Sequence, residues 1–123
     1  MLKVVQVAEI VHNSLRVYCA ALGEAQPLWH ELPQDLKDSV IAGIKIYVQH
    51  PFLTAEQSHW CWMQRKYNEG WQYGTHKSVE GKIHPLLRPW KELPTNQRVK
   101  DHLFKAIINS LMAEGQIDVT YPE

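Results

Sequence analysis

Residues 54–70 read TAEQSHWCWMQRKYNEG, and the rest of the chain is parsed from them. Thr54 followed by Gln57 is a capping box, in which a hydroxyl and an amide side chain satisfy each other's free backbone N–H groups at a helix start. Gly70 is the residue type that ends a helix in the left-handed conformation. The pair predicts a helix from Ala55 to about Glu69. On it, His59, Trp62 and Lys66 share one face at i, i+3, i+7, and Trp60, Met63 and Tyr67 share another, rotated by roughly 100°. The second set is wholly apolar or aromatic and is the better core candidate. The first mixes an indole, an imidazole and an ammonium, which are costlier to bury.

Working outward, Val4, Val7, Ala8, Val11, Leu15, Tyr18, Cys19 and Leu22 recur at helical spacing before the stop at Gly23. Pro33 opens a further helix whose stripe is Leu36, Val40, Ile41, Ile44, Tyr47 and Val48, and which ends at His50-Pro51 because the residue before proline avoids the α region. From Trp71 to Leu93 no helical period appears, and Gly74, Gly81, Pro85 and Pro89 punctuate a segment expected to hold a short hairpin. Pro94 and Thr95 then start a last helix carrying Val99, Leu103, Ile107, Ile108 and Leu111, closed by Gly115. Residues 116–123 are expected as a short strand or a frayed tail. The fold class is mainly α: a compact single-domain helical bundle of about four helices, with a short irregular or β segment between the third and fourth. The domain is taken as 1–123, with 1–53 an integral helical extension of the region 54–111. Trp29-His30-Glu31-Leu32-Pro33 and Trp90-Lys91-Glu92-Leu93-Pro94 echo one another 61 residues apart, which reads as shared helix-start grammar rather than a repeat.

The 123 residues carry 13 Lys+Arg and 13 Asp+Glu, and such a balance disfavours coating of extended nucleic acid by counterion release. No apolar run of membrane-spanning length and no signal-peptide pattern appears, so a cytoplasmic protein is expected. Cys19 and Cys61 lack companions at zinc-ligand spacing and read as free thiols. The neutral total conceals an asymmetry. Between His59 and Lys91 stand Arg65, Lys66, Lys77, Lys82, Arg88 and Lys91 against only Glu69 and Glu80, together with Trp60, Trp62, Tyr67, Trp71, Tyr73 and Trp90. Aromatic faces joined to cationic donors suit a nucleotide-like anion, with stacking of about 1–3 kcal/mol per base and charge-assisted bonds to phosphate.

The string His59-x-x-Trp62-x-x-x-Lys66-x-x-x-Gly70-Trp71-x-Tyr73-Gly74, continued by Lys82-x-His84-Pro85-x-Leu87 and Leu93, resembles the RyR domain, the repeat of ryanodine receptors that also occurs as a standalone bacterial and phage module. The likeness spans roughly Thr54 to Leu111. It departs at Trp60, where the receptor repeats usually carry an acid. The N-terminal half is similar, more loosely, to the extension of standalone members through His12, Arg16, Tyr18, Cys19 and the Gly23-Glu24 turn. The resemblance implies two antiparallel helices with a few short strands. It also implies a cleft for adenine nucleotides between paired repeats, and, for standalone members, sensing of NAD or ADP-ribose derivatives. The matching positions that would line such a cleft are His59, Trp62, Lys66, Trp71, Tyr73 and His84; charge and sequence proximity add Lys82 and Arg88. With one copy of the motif in the chain, a homodimer or higher homo-oligomer would rebuild the cleft.

For an enzyme one looks for a positioned nucleophile and base, opposed carboxylates or three metal ligands, and no such motif is legible here. The expectation is a non-enzymatic module that binds an anionic, nucleotide-like small molecule without cofactor, metal or membrane, as a sensor or as a phage sponge of an immune signal. The alternative is a homo-oligomeric structural or protein-interaction module, because Trp, Tyr and Arg also anchor interfaces.

Overall fold

The computed structural model describes residues 1–118. It is mainly helical. Four α-helices, α1 (Val4–Ala21), α2 (Gln34–Gln49), α3 (Ala55–Asn68) and α4 (Thr95–Ala113), are joined by two 3₁₀ turns, Trp29–Glu31 and Trp90–Glu92. Two short strands, β1 (Gln72–Tyr73) and β2 (Ile83–His84), lie between α3 and α4. The chain divides into two compact units, one comprising Met1–Phe52 with the chain from His102 onward, the other Leu53–Asp101. No helix among the described residues is long and apolar enough to cross a membrane.

The helix boundaries follow local chemistry. At the start of α3 the Gln57 side chain accepts from Thr54 N–H at 2.9 Å and Thr54 Oγ1 accepts from Gln57 N–H at 3.1 Å, the reciprocal pair the sequence predicts. Three helices close in the same way. Gly23, Gly70 and Gly115 take φ of +79°, +91° and +66°. Each donates to a carbonyl three residues back, and the next residue donates to the carbonyl five back: Glu24 to Cys19, Trp71 to Lys66, Gln116 to Leu111. Pro33 and Pro94 directly precede α2 and α4, whose first turns cost them no N–H.

In the first unit, Val4, Val7, Ala8 and Val11 of α1, Ile44 and Tyr47 of α2, and Ile108 of α4 are buried. The Tyr47 and Phe104 rings meet at 5.8 Å, packing α2 on the second half of α4. Leu2 and Ile117 form a parallel bridge, with Leu2 N–H donating to Gln116 O at 2.6 Å and Asp118 N–H to Leu2 O at 2.7 Å. The expected tail strand is thus a single bridge; the part of that expectation covering 119–123 lies outside the described residues.

In the second unit the expected hairpin takes another form. β1 and β2 pair in parallel, Gln72 with Ile83 and Tyr73 with His84. The antiparallel element is one bridge, Ser78 to Ile83. The chain reverses twice between the strands, which leaves them running in the same direction. The second reversal is pinned by Gly81 N–H donating to Ser78 Oγ at 3.0 Å and by Lys82 at φ +53°. Gly74 packs directly on Ile83, where a Cβ would collide with Ile83 Cγ2. Gly74→Ala should therefore lower unfolding stability by about 1–3 kcal/mol, because the neighbour is a branched side chain in a tight turn. Gly23→Ala meets open space and should cost only the left-handed strain, about 1–2 kcal/mol. Urea titration followed by circular dichroism measures both.

Candidate functional site

The candidate site lies in the second unit and is built on α3. Its 3.6-residue turn stacks His59, Trp62 and Lys66 along one face. The glycine stop then swings the chain back so that Trp71, the residue after the turn, lies over Lys66. The Lys66 ammonium sits 5.1 Å from the Trp71 ring centroid and 3.6 Å from Glu69 Oε1. β2 brings His84 into the same group. The rings form a continuous series: His59 on Trp62 at 5.4 Å and near parallel, Trp62 against His84 at 5.0 Å edge to face, and His84 beside Trp71 at 6.0 Å. Five of the eight sequence-predicted residues thus come together through their side chains, and a sixth, Arg88, joins through its carbonyl.

His59, Lys66 and Trp71 are only 4%, 3% and 3% exposed, while Trp62 and His84 are part-buried. This corrects the expected assignment of faces on α3. Trp60, at 60% exposure, and Tyr67, at 45%, face outward, and the mixed set faces in. The reason is that the ionisable groups of the mixed set find partners. His59 Nε2 donates to Arg88 O at 2.9 Å, and Lys66 has Glu69 and the Trp71 face. A satisfied polar group loses most of its desolvation penalty. Arg88 therefore contributes its carbonyl to the site, and its Nε is buried with no hydrogen-bond partner. Tyr73 is half exposed and stands in register with His84. Lys82 is exposed, and its ammonium donates to Glu69 O at 2.8 Å, completing the C-terminal end of α3.

The structure adds residues the sequence reading did not select. Trp90 Nε1 donates to Asp101 Oδ2 at 3.1 Å, and the same oxygen is 3.9 Å from His59 Nδ1. Arg98 stacks over Trp90 at 5.3 Å and donates from Nε to Leu93 O at 2.9 Å. Asp101 lies eleven positions beyond Trp90 on a different element, so no local spacing announces the pair.

The electrostatics of the cluster are unusual. Burial, reinforced by Lys77, Lys66, Lys100 and His59, pushes the His84 pKa down to about 3. Its Nδ1 accepts from Leu86 N–H at 3.1 Å, so the neutral ring carries its proton on Nε2. Burial lowers His59 as well, against the hydrogen bonds to Arg88 and Leu86. Burial pushes Asp101 up to about 7, against the Trp90 bond and the charge of Lys100. Both imidazoles are thus neutral at physiological pH, and the fixed charges that act on His84 are all cationic. Among the described residues of this unit, the buried side-chain polar atoms without a partner are Arg65 Nε, Trp71 Nε1 and Arg88 Nε, all of them donors. The hydrogen-bonding capacity left unused inside the unit is thus donor capacity. No group of three or more His, Cys, Asp or Glu among the described residues is placed to hold a metal ion.

The RyR domain family matches residues 46–117. The chain belongs to this family. The RyR match takes in α3, the strands, the second 3₁₀ turn and α4, with the end of α2, and so contains every residue of the candidate site. No curated protein matches the chain.

The opposed titrations give a measurable signature. A neutral His84 stabilises the fold above pH 6.5 and progressively less as pH falls towards 3. A protonated Asp101 stabilises it below about 3.8 and progressively less as pH rises towards 7. Between about pH 4 and 6.5 the two slopes oppose each other. Asp101→Asn keeps an acceptor for Trp90 and removes the falling component. Its stability should rise with pH across this window more steeply than that of the wild type, by up to about 1.4 kcal/mol per pH unit, the limit for one proton. Urea denaturation at half-unit pH steps tests this, and parallel curves for the two proteins would refute it.

Proposed function

We propose that this RyR domain protein is a binding module for an anionic, nucleotide-like small molecule, such as an adenine nucleotide or an ADP-ribose derivative, and that it captures the ligand without turning it over. The observation that carries the reading is Trp71. Its indole N–H is buried without an acceptor, on the ring that ends the series beyond His84 and that the Lys66 ammonium faces at 5.1 Å. A buried donor left unmade costs about 1–3 kcal/mol, and an acceptor-rich anion repays that cost. Two further features fit. The charges that help burial push the His84 pKa down all lie on basic residues, Lys77, Lys66, Lys100 and His59, and burial raises the Asp101 pKa to about 7, so that part of it is protonated near neutral pH. The exposed Tyr73 ring, in register with His84, offers a flat surface on which a base can stack. Capture alone is enough for either sensing or sequestering a nucleotide-derived signal.

Thermal shift and calorimetry with ADP-ribose, NAD and adenine nucleotides test the proposal. At least one of them should raise the melting temperature. Trp71→Phe keeps the ring and removes the N–H, and should weaken binding by roughly 5- to 30-fold, equivalent to about 1–2 kcal/mol. Tyr73→Ala, at an exposed position, should weaken binding while leaving the melting temperature of the free protein unchanged. A full panel without any shift overturns the reading.

A second reading rests on Trp60, whose exposed indole shares a helix face with Tyr67 and marks a protein-contact surface, of a homo-oligomer or of another partner, that needs no small ligand. In that case Trp60→Ser abolishes association, measured by light scattering, and the nucleotide panel stays silent.

A further inference from the structure

The echo between the two Trp-x-Glu-Leu-Pro segments extends well beyond helix-start grammar. His12 Nε2 donates to Pro27 O at 2.7 Å, and His59 Nε2 donates to Arg88 O at 2.9 Å. Each acceptor is the residue two before the tryptophan of its segment, Trp29 or Trp90. Eight residues after each tryptophan a cation covers its ring: Lys37 lies 5.8 Å from Trp29 and Arg98 5.3 Å from Trp90. Eleven residues after each histidine stands the glycine that ends the helix, Gly23 or Gly70, at matching positive φ and with the same pair of capping hydrogen bonds. Before each histidine the sequence is Ala-Glu-x-x-His, at Ala8–His12 and Ala55–His59, and both alanines are buried. The helix, 3₁₀ turn, helix order is the same in α1–α2 and in α3–α4.

The spacings are consistent throughout. His12 to His59 and Gly23 to Gly70 are each 47 residues, while Trp29 to Trp90, Pro33 to Pro94 and Lys37 to Arg98 are each 61. The difference of 14 residues lies between the glycine and the tryptophan, where the second half carries β1 and β2 and the first half has no strand. One insertion accounts for the whole offset. Chance agreement of a hydrogen bond, a cation over a ring, a glycine cap and an Ala-Glu-x-x-His string in a single register is remote, and internal repeats betray themselves in this way.

We infer that residues 4–49 are a second, diverged copy of the RyR unit, so that the chain carries a pair of copies in cis and works as a monomer. The second helices of the two copies already meet within the first unit, through Tyr47 of α2 and Phe104 of α4. The positions equivalent to these two, Ile108 and Gly43, are both buried. The copies have divided their roles. At the positions of Trp62 and Lys66 the first copy has Leu15 and Cys19, and it lacks the inserted segment that holds Trp71, Tyr73 and His84. What it keeps is the latch: histidine to carbonyl, cation over tryptophan. The ligand array therefore occurs once per chain, a consequence that rests on the binding function proposed above. The expected homodimer had its premise in a single copy, and a second copy in cis removes the need for it.

Reciprocal exchange of the nonapeptides 29–37 and 90–98 in the full-length chain tests the equivalence. Each exchange should fold cooperatively, with the melting temperature lowered by less than about 10 °C, whereas grafts of the same residues in scrambled order should lose the transition. Exchanges as damaging as the scrambled grafts overturn the duplication. Light scattering over a dilution series should show a monomer, and a dimer that persists on dilution overturns pairing in cis. Calorimetry with ADP-ribose should give one site per chain; two sites per chain, or one per two chains, would contradict the division of roles. A wild-type protein that binds none of the panel overturns the ligand reading alone, while exchange and light scattering still decide the duplication.

Discussion

A buried imidazole that donates a hydrogen bond from Nε2 to a distant main-chain carbonyl is the constraint on which the second unit depends. His59 has lost most of its contact with water, and burial alone disfavours its charged form. Its neutral ring has a single N–H to give, and Arg88 O receives it. That bond ties the first half of α3 to the chain 29 residues later and fixes where the 3₁₀ turn at Trp90 begins. With the ring held, Trp62 can stack on it, His84 can meet Trp62 edge-on, and Trp71 can close over Lys66. The same bond, from His12 to Pro27 O, organises α1 and the turn at Trp29.

The site that results is inverted relative to a simple aromatic pocket. The Lys66 ammonium and the His59 imidazole are buried, and the site's most exposed aromatic rings, Trp60 and Tyr73, face outward. An ammonium as buried as that of Lys66 is tolerable because a carboxylate and an indole face share its charge. The neutrality of His84 and the raised pKa of Asp101 follow from the same low-polarity surroundings. The buried side-chain atoms this unit leaves without a partner, Arg65 Nε, Trp71 Nε1 and Arg88 Nε, are all donors.

Helix limits were legible because they are local. Thr54 with Gln57, the glycines at 23, 70 and 115, and the prolines at 33 and 94 act through partners within five residues. The composition of the site was legible for a similar reason, since the helical repeat places His59, Trp62 and Lys66 on one face. Which face is buried was not. Polarity ranked Trp60, Met63 and Tyr67 first, yet burial was decided by partners at Arg88 and Trp71 that only the folded chain supplies. The parallel pairing of β1 with β2 depends on the turn from Ser78 to Ile83, and the Trp90–Asp101 bond depends on α4, so neither has a local signature. The likeness between the two halves was partly visible in the Trp-x-Glu-Leu-Pro strings. The matching histidines have no such local signature, because the inserted strands shift the register between them and the tryptophans.

The central claim is that the buried Trp71 N–H awaits an acceptor brought by an anionic ligand. Nitrogen-15 correlation spectra of the indole region, recorded during a titration with ADP-ribose, address it atom by atom. The Trp71 Nε1–H resonance, assigned with Trp71→Phe, should move downfield as the hydrogen bond forms, while that of Trp29 stays in place. A saturating titration that leaves the Trp71 resonance unmoved, or that moves only the exposed Trp60, would contradict the account.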